Sequence, residues 1–325
     1  GRVNVSSGGT ASGTLLTGSG IEFVSSGGTA SGTVASSGGQ SIVGPGGTAI
    51  GAVMSLGATQ TVGSGGVASG TNLKAFGNLV VSSGGVISGS VISGSGSAYV
   101  SGAAIGTTLS GGWQIVSSGG SANGTTVLQG GIEFVSSGGT ASGSNVSSGG
   151  QSIVGPGGTV IDETLFDNAI LTVGSSAIAS GTVLKTFGTL HVSAGGTASG
   201  SVISGSGSGY VLGTAIATTL LGGWQVISSG GVASNTTVMS GGYEFISSGG
   251  TASGTTVSSA GQAIVGPGGR IVGATMMDQA TLTVGADAVA SGSILHTLGV
   301  MHISAGGTVS GSVVSASASG FISGM

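Results

Sequence analysis

Aliphatic residues return along this chain at a fixed interval. Val5, Val24, Val43, Val62 and Val81 stand nineteen residues apart. Six positions after each comes a second apolar residue: Ala11, Ala30, Ala49, Ala68 and Ile87. Five positions further comes a third: Leu16, Ala35, Met54, Leu73 and Ile92. Polar residues flank the inward ones, as Thr29 and Ser31 flank Ala30. Alternation of this kind marks short strands with one buried face. Between the strands lie pairs such as Gly27-Gly28 and single glycines such as Gly13 and Gly32, suited to sharp corners. Gly, Val and Thr are poor helix formers, and no stripe of helical period persists.

One coil of this kind cannot bury its apolar side alone, so successive coils must stack. The pattern predicts an all-β fold, a parallel β-helix with three short strands per coil. About 17 coils would rise roughly 80 Å at the spacing of paired strands. Parallel crossovers are overwhelmingly right-handed, so a right-handed β-helix is expected.

A longer period overlies the short one. Ile21-Glu22-Phe23-Val24 returns as Ile132-Glu133-Phe134-Val135 and as Tyr243-Glu244-Phe245-Ile246, each step being 111 residues. Trp113 matches Trp224, and Arg2 takes that place in the first copy. The chain therefore reads as one β-helical segment, 1–325, of three copies: 1–111, 112–222 and 223–325. Each copy has a shortened coil, at Val100 to Ala104 and again at Val211 to Ala215.

Composition narrows the function. Glycine supplies 75 of 325 residues, yet 38% are hydrophobic and only 4% charged. Disordered chains usually show the reverse balance. The formal net charge is −4, and Arg2, Lys74, Lys185 and Arg270 are the only Lys or Arg. That argues against nucleic-acid binding, which requires phosphate neutralisation. With no cysteine, disulfides and thiolate metal sites are excluded. No apolar run is long enough for a membrane span, and no secretory leader is expected. Gly1 is not a natural start, so the chain reads as an excised segment.

The Ser-Ser-Gly-Gly-Thr-Ala-Ser-Gly-Thr string at 25–33, its nineteen-residue spacing, and the phrases Gly112-Trp113-Gln114-Ile115-Val116-Ser117-Ser118-Gly119-Gly120 and Gly223-Trp224-Gln225 resemble the passenger repeats of AIDA-type autotransporter adhesins. These are self-associating surface proteins of Gram-negative bacteria. The resemblance implies a β-helical passenger exported through an outer-membrane barrel not present here and displayed at the cell surface. It also implies adhesion, autoaggregation and biofilm formation, and O-glycosylation of passenger Ser and Thr with heptose.

The candidate chemistry is sparse. Thr10 and Ser12, Thr29 and Ser31, Thr140 and Ser142, Thr197 and Ser199, and Thr251 and Ser253 flank inward alanines, so strand alternation points their hydroxyls outward. They are candidate glycan acceptors or a contact face. Glu22, Glu133 and Glu244 are the acids repeated in every copy. Six coils, or about 29 Å, separate them, so they form no carboxylate pair; a repeated surface contact or a local structural role is expected. Asp162, Glu163 and Asp167 make the one acidic cluster. Its spacing admits carboxylate catalysis on polysaccharide or calcium binding, but a solvated loop is the simpler expectation. His191, His296 and His302 have no second ligand at metal spacing. Tyr99, Tyr210, Phe321, Trp113 and Trp224 are expected to cover the gaps at the shortened coils.

These observations predict a non-enzymatic, surface-displayed β-helix without cofactor or metal. Its expected partners are itself, through lateral contacts, or a host or abiotic surface. The alternative is a Ser/Thr acceptor substrate for a dedicated protein glycosyltransferase; a carbohydrate-active β-helix is a third.

Overall fold

The computed structural model describes residues 1–117 and 119–323. Ser118, within one of the phrases above, lies outside them. The chain divides into two compact units, Gly1–Glu163 and Thr164–Met325. The division falls inside the second 111-residue copy.

Both units are parallel β-solenoid, and the chain makes about 17 turns in all. In the first unit a typical coil contributes three strands, Ile21–Val24, Thr29–Ser31 and Val34–Ala35. In the second, the matching coil contributes Tyr243–Ile246, Thr251–Ser253 and Thr256–Val257. Like strands of successive coils pair in parallel and in register. Val24 lies beside Val43, Ala30 beside Ala49, and Ala35 beside Met54. Three parallel sheets result, here called first, second and third in chain order within the coil. Val24, Val43 and Val62 are wholly buried, so the nineteen-residue column runs down the interior as expected. No helix occurs among the described residues.

Glycine serves two distinct needs at the corners. Gly27 has φ 80°, a left-handed conformation that costs a side chain about 1–2 kcal/mol. Gly28 has ordinary φ, but a Cβ there would lie 2.3 Å from the Val5 carbonyl oxygen. The first glycine turns the chain, and the second lets neighbouring coils close on one another. At the shortened coil the ladder continues with a shorter step: Val86 pairs with Ala103, and Ser97 with Trp113.

The interior holds more than the three apolar columns. The second residue of each first-sheet strand also points inward, as do Glu22, Ser41, Gln60 and Leu79. So does the residue just before each third-sheet strand: Thr33, Ala52, Thr71 and Ser90. These two columns carry the polar part of the core.

Candidate contact surface

Strand alternation places the predicted hydroxyls outward. Thr10 and Ser12 are exposed, and Thr29, Ser31, Thr140, Ser142, Thr197, Ser199, Thr251 and Ser253 are partly exposed on either side of buried alanines. On the second sheet they stack into short ladders: Thr10 beside Thr29 beside Thr48, and Ser12 beside Ser31. Ile50 interrupts the serine column after Ser31. In the second unit Ser180 pairs with Ser199, and Ser234 with Ser253.

The three repeated glutamates are not on this surface. Glu22, Glu133 and Glu244 have no exposure at all, which corrects the expectation of a repeated surface contact. Each occupies the second position of a first-sheet strand, and alternation turns that position toward the core. Their partners are interior hydroxyls and amides. Thr33 donates to Glu22 Oε2 at 2.7 Å, Ser144 to Glu133 Oε2 at 2.8 Å, and Thr255 to Glu244 Oε2 at 2.8 Å. Gln114 Nε2 donates to Glu133 Oε1 at 3.1 Å from the preceding coil. Burial pushes the Glu133 carboxyl above its ordinary pKa, against the opposing bonds from Thr125, Ser144 and Gln114. Burial raises Glu244 to about 7.

The acidic cluster separates in the same way. Asp162 is exposed at a corner with φ 53°, and Asp167 is exposed at another with φ 51°. Glu163 is 1% exposed, so the expectation of a solvated loop fails for this residue. It takes an inward place held by Ala52 and Ala274 in the other copies. Neither of its oxygens has a hydrogen-bond partner. Burial, and then the nearby Glu133 charge, raise its pKa to about 8. A carboxyl sealed in the core cannot reach a polysaccharide.

The aromatic residues do not fill gaps. Tyr99 and Trp113 are each about half exposed, because both stand at outward positions of first-sheet strands. In the first unit Trp113, Ile115, Ile132, Phe134 and Ile153 line an outward groove of about 320 Å³. In the second unit Trp224, Val226, Tyr243 and Phe245 line one of about 470 Å³. The two are equivalent across the 111-residue period. Tyr243 and Phe245 stack at 6.1 Å, and Tyr210 meets Trp224 edge-on at 5.1 Å. In the first copy the place is closed differently: Arg2 lies 4.1 Å over the Phe23 ring. The signal was present in the sequence as outward apolar residues on consecutive first-sheet strands.

A second feature escaped the sequence reading. Phe76, Phe187 and Leu298, also 111 residues apart, sit exposed on the corner leading into the first sheet. Their φ angles are 61°, 58° and 60°. Glycine holds that place in other coils, with φ 82° at Gly38 and 75° at Gly149. A bulky side chain there is strained by about 1–3 kcal/mol and also gives up burial. Two residues before each stands Lys74, Lys185 or His296, all exposed.

Among the described residues, no group of three or more His, Cys, Asp or Glu is placed to hold a metal ion, and no helix is long and apolar enough to cross a membrane.

Comparison with known proteins gives one informative match. The chain is similar to a solved structure of a TibC-catalysed hyper-glycosylated fragment of TibA, with 28% identity, 97% of each chain covered, and a TM-score of 0.56. No protein-family model matches the chain, and no curated protein matches it.

Proposed function

We propose that this chain is a non-enzymatic, surface-displayed passenger segment that makes cell–cell or cell–surface contacts. The observation that carries the reading is the ladder of outward hydroxyls on the second sheet, from Thr10 through Thr29 to Thr48. Such a face offers many weak polar contacts, and their avidity exceeds any one of them. Low charge limits repulsion between copies. The match to a TibA fragment supports the AIDA-type resemblance, and with it display at the cell surface. Displaying the segment on bacteria and following their settling tests this reading. Faster settling than an anchor-only control is expected; identical settling contradicts it.

A second reading is favoured by the same match, since the TibA fragment is hyper-glycosylated by TibC. Here the outward Ser and Thr are acceptors for a protein glycosyltransferase. Intact mass after coexpression with TibC tests it. A series of added sugar masses supports acceptor function, and the bare chain mass contradicts it. A carbohydrate-active reading is disfavoured by the burial of Glu163.

A further inference from the structure

The strained corner residues and the apolar grooves are two halves of a contact that one chain repeats. The fold does not ask for a large apolar residue at Phe76, Phe187 or Leu298, since Gly38, Gly57 and Gly149 hold the same place with the positive φ it requires. All three are exposed. Strain retained without a folding benefit points to function. The grooves are the other half. Trp113 and Phe134 in the first unit, and Trp224 and Phe245 in the second, line open apolar concavities with no charged side chain. Knob and groove recur with one period of 111 residues, and each unit has at least one of both. Both belong to the first sheet, the knob on the corner entering it and the groove on its outer face.

We propose that the knobs of one copy dock into the grooves of a second copy of this chain. This rests on the self-association reading above and assigns it a site. A buried aromatic contributes roughly 150–250 Å², whereas a stable interface needs roughly 1,200–2,000 Å² in total. One knob is therefore a weak contact, and several copies exchanging knobs for grooves gain strength by repetition. Two molecules that each donate a knob and accept one form a self-complementary pair. The lysine or histidine two residues before each knob stays at the solvated rim.

Sedimentation velocity of the 325-residue protein over a concentration series tests the proposal. The knob variant is F76G/F187G/L298G, which installs the residue other coils use. The groove variant is W113R/W224R, which installs the residue that stands there in the first copy. Each variant is expected to fold, by circular dichroism, and to associate about tenfold or more weakly than the parent, as for the loss of interface hot spots. An equimolar mixture of the two should regain part of the association, because each supplies what the other lacks. Association undiminished in either variant, or a mixture no stronger than its components, overturns the knob-and-groove contact while the self-association reading stands. A parent chain that stays monomeric throughout overturns both.

Discussion

The Thr71 hydroxyl donates a 2.6 Å hydrogen bond to Gln60 Oε1 across the interior of one coil. The same eleven-residue link joins Thr33 to Glu22, Ser144 to Glu133 and Thr255 to Glu244. It ties the first-sheet strand of a coil to the corner before its third-sheet strand. Thr71→Val would leave the buried Gln60 carbonyl without its donor, at a cost of about 1–3 kcal/mol. The double variant Gln60→Leu/Thr71→Val should recover much of the loss, because Leu79 fills the same column in the next coil. Urea unfolding of both variants measures the difference.

Burial of acids fixes how stability should vary with pH. Glu244 has a raised pKa of about 7 because it is desolvated, whereas in the unfolded chain it titrates near 4.5. Between those values the folded state keeps a proton that the unfolded state has released. Stability is then greatest at or below the unfolded value and falls as pH rises through this window, by about 3 kcal/mol in all. Glu244→Gln should flatten the dependence, and glutamine fits because Gln225 stands in the same column. Urea midpoints at pH 5 and pH 8, compared between parent and variant, supply the measurement.

Glu163 extends the effect to higher pH, since burial and the Glu133 charge raise it to about 8. Both its oxygens lack hydrogen-bond partners. Glu163→Ala, the residue of the other two copies, should raise stability at pH 8 by about 2 kcal/mol or more, because it removes an unsatisfied buried carboxyl. Thermal unfolding at pH 8 reads this out as a higher midpoint.

The two kinds of corner glycine should respond differently to alanine. Gly28→Ala drives a Cβ to 2.3 Å from the Val5 carbonyl oxygen, so neighbouring coils must separate, at about 3 kcal/mol or more. Gly13 has φ 64° and open space around it, so Gly13→Ala should cost only about 1 kcal/mol. Comparing the two by urea unfolding separates close approach from backbone strain.

Much of this architecture is legible in the sequence, and the exceptions have physical causes. Val24, Ala30 and Ala35 announce their columns because every coil repeats an apolar residue there. The column of Glu22 is hidden because its members change chemistry from Glu22 to Ser41, Gln60 and Leu79. A charged residue in a low-charge chain suggests surface, yet strand alternation decides its direction and overrides that expectation. The outward hydroxyls at Thr29 and Ser31 follow from the same alternation, which is why they were placed correctly. Phe76 was missed because its position is defined by a corner φ, and no periodicity of hydrophobic residues reports φ. The grooves at Trp113 and Trp224 were missed because they form across strands that are neighbours only once the coils have stacked.

The account rests on a nineteen-residue step that sets which side chains face outward and which face the core. The absence of native cysteine makes engineered pairs unambiguous. Thr29 and Thr48 are paired neighbours that share an outward face, within the Cα separation of roughly 4.4–6.8 Å that a disulfide spans. Thr29 and Ala49 point to opposite faces. Under mild oxidation T29C/T48C should close a disulfide nearly completely, seen as altered mobility on a non-reducing gel, and T29C/A49C should not. Closure of the second pair in preference to the first would contradict the register and the outward hydroxyl ladder built on it.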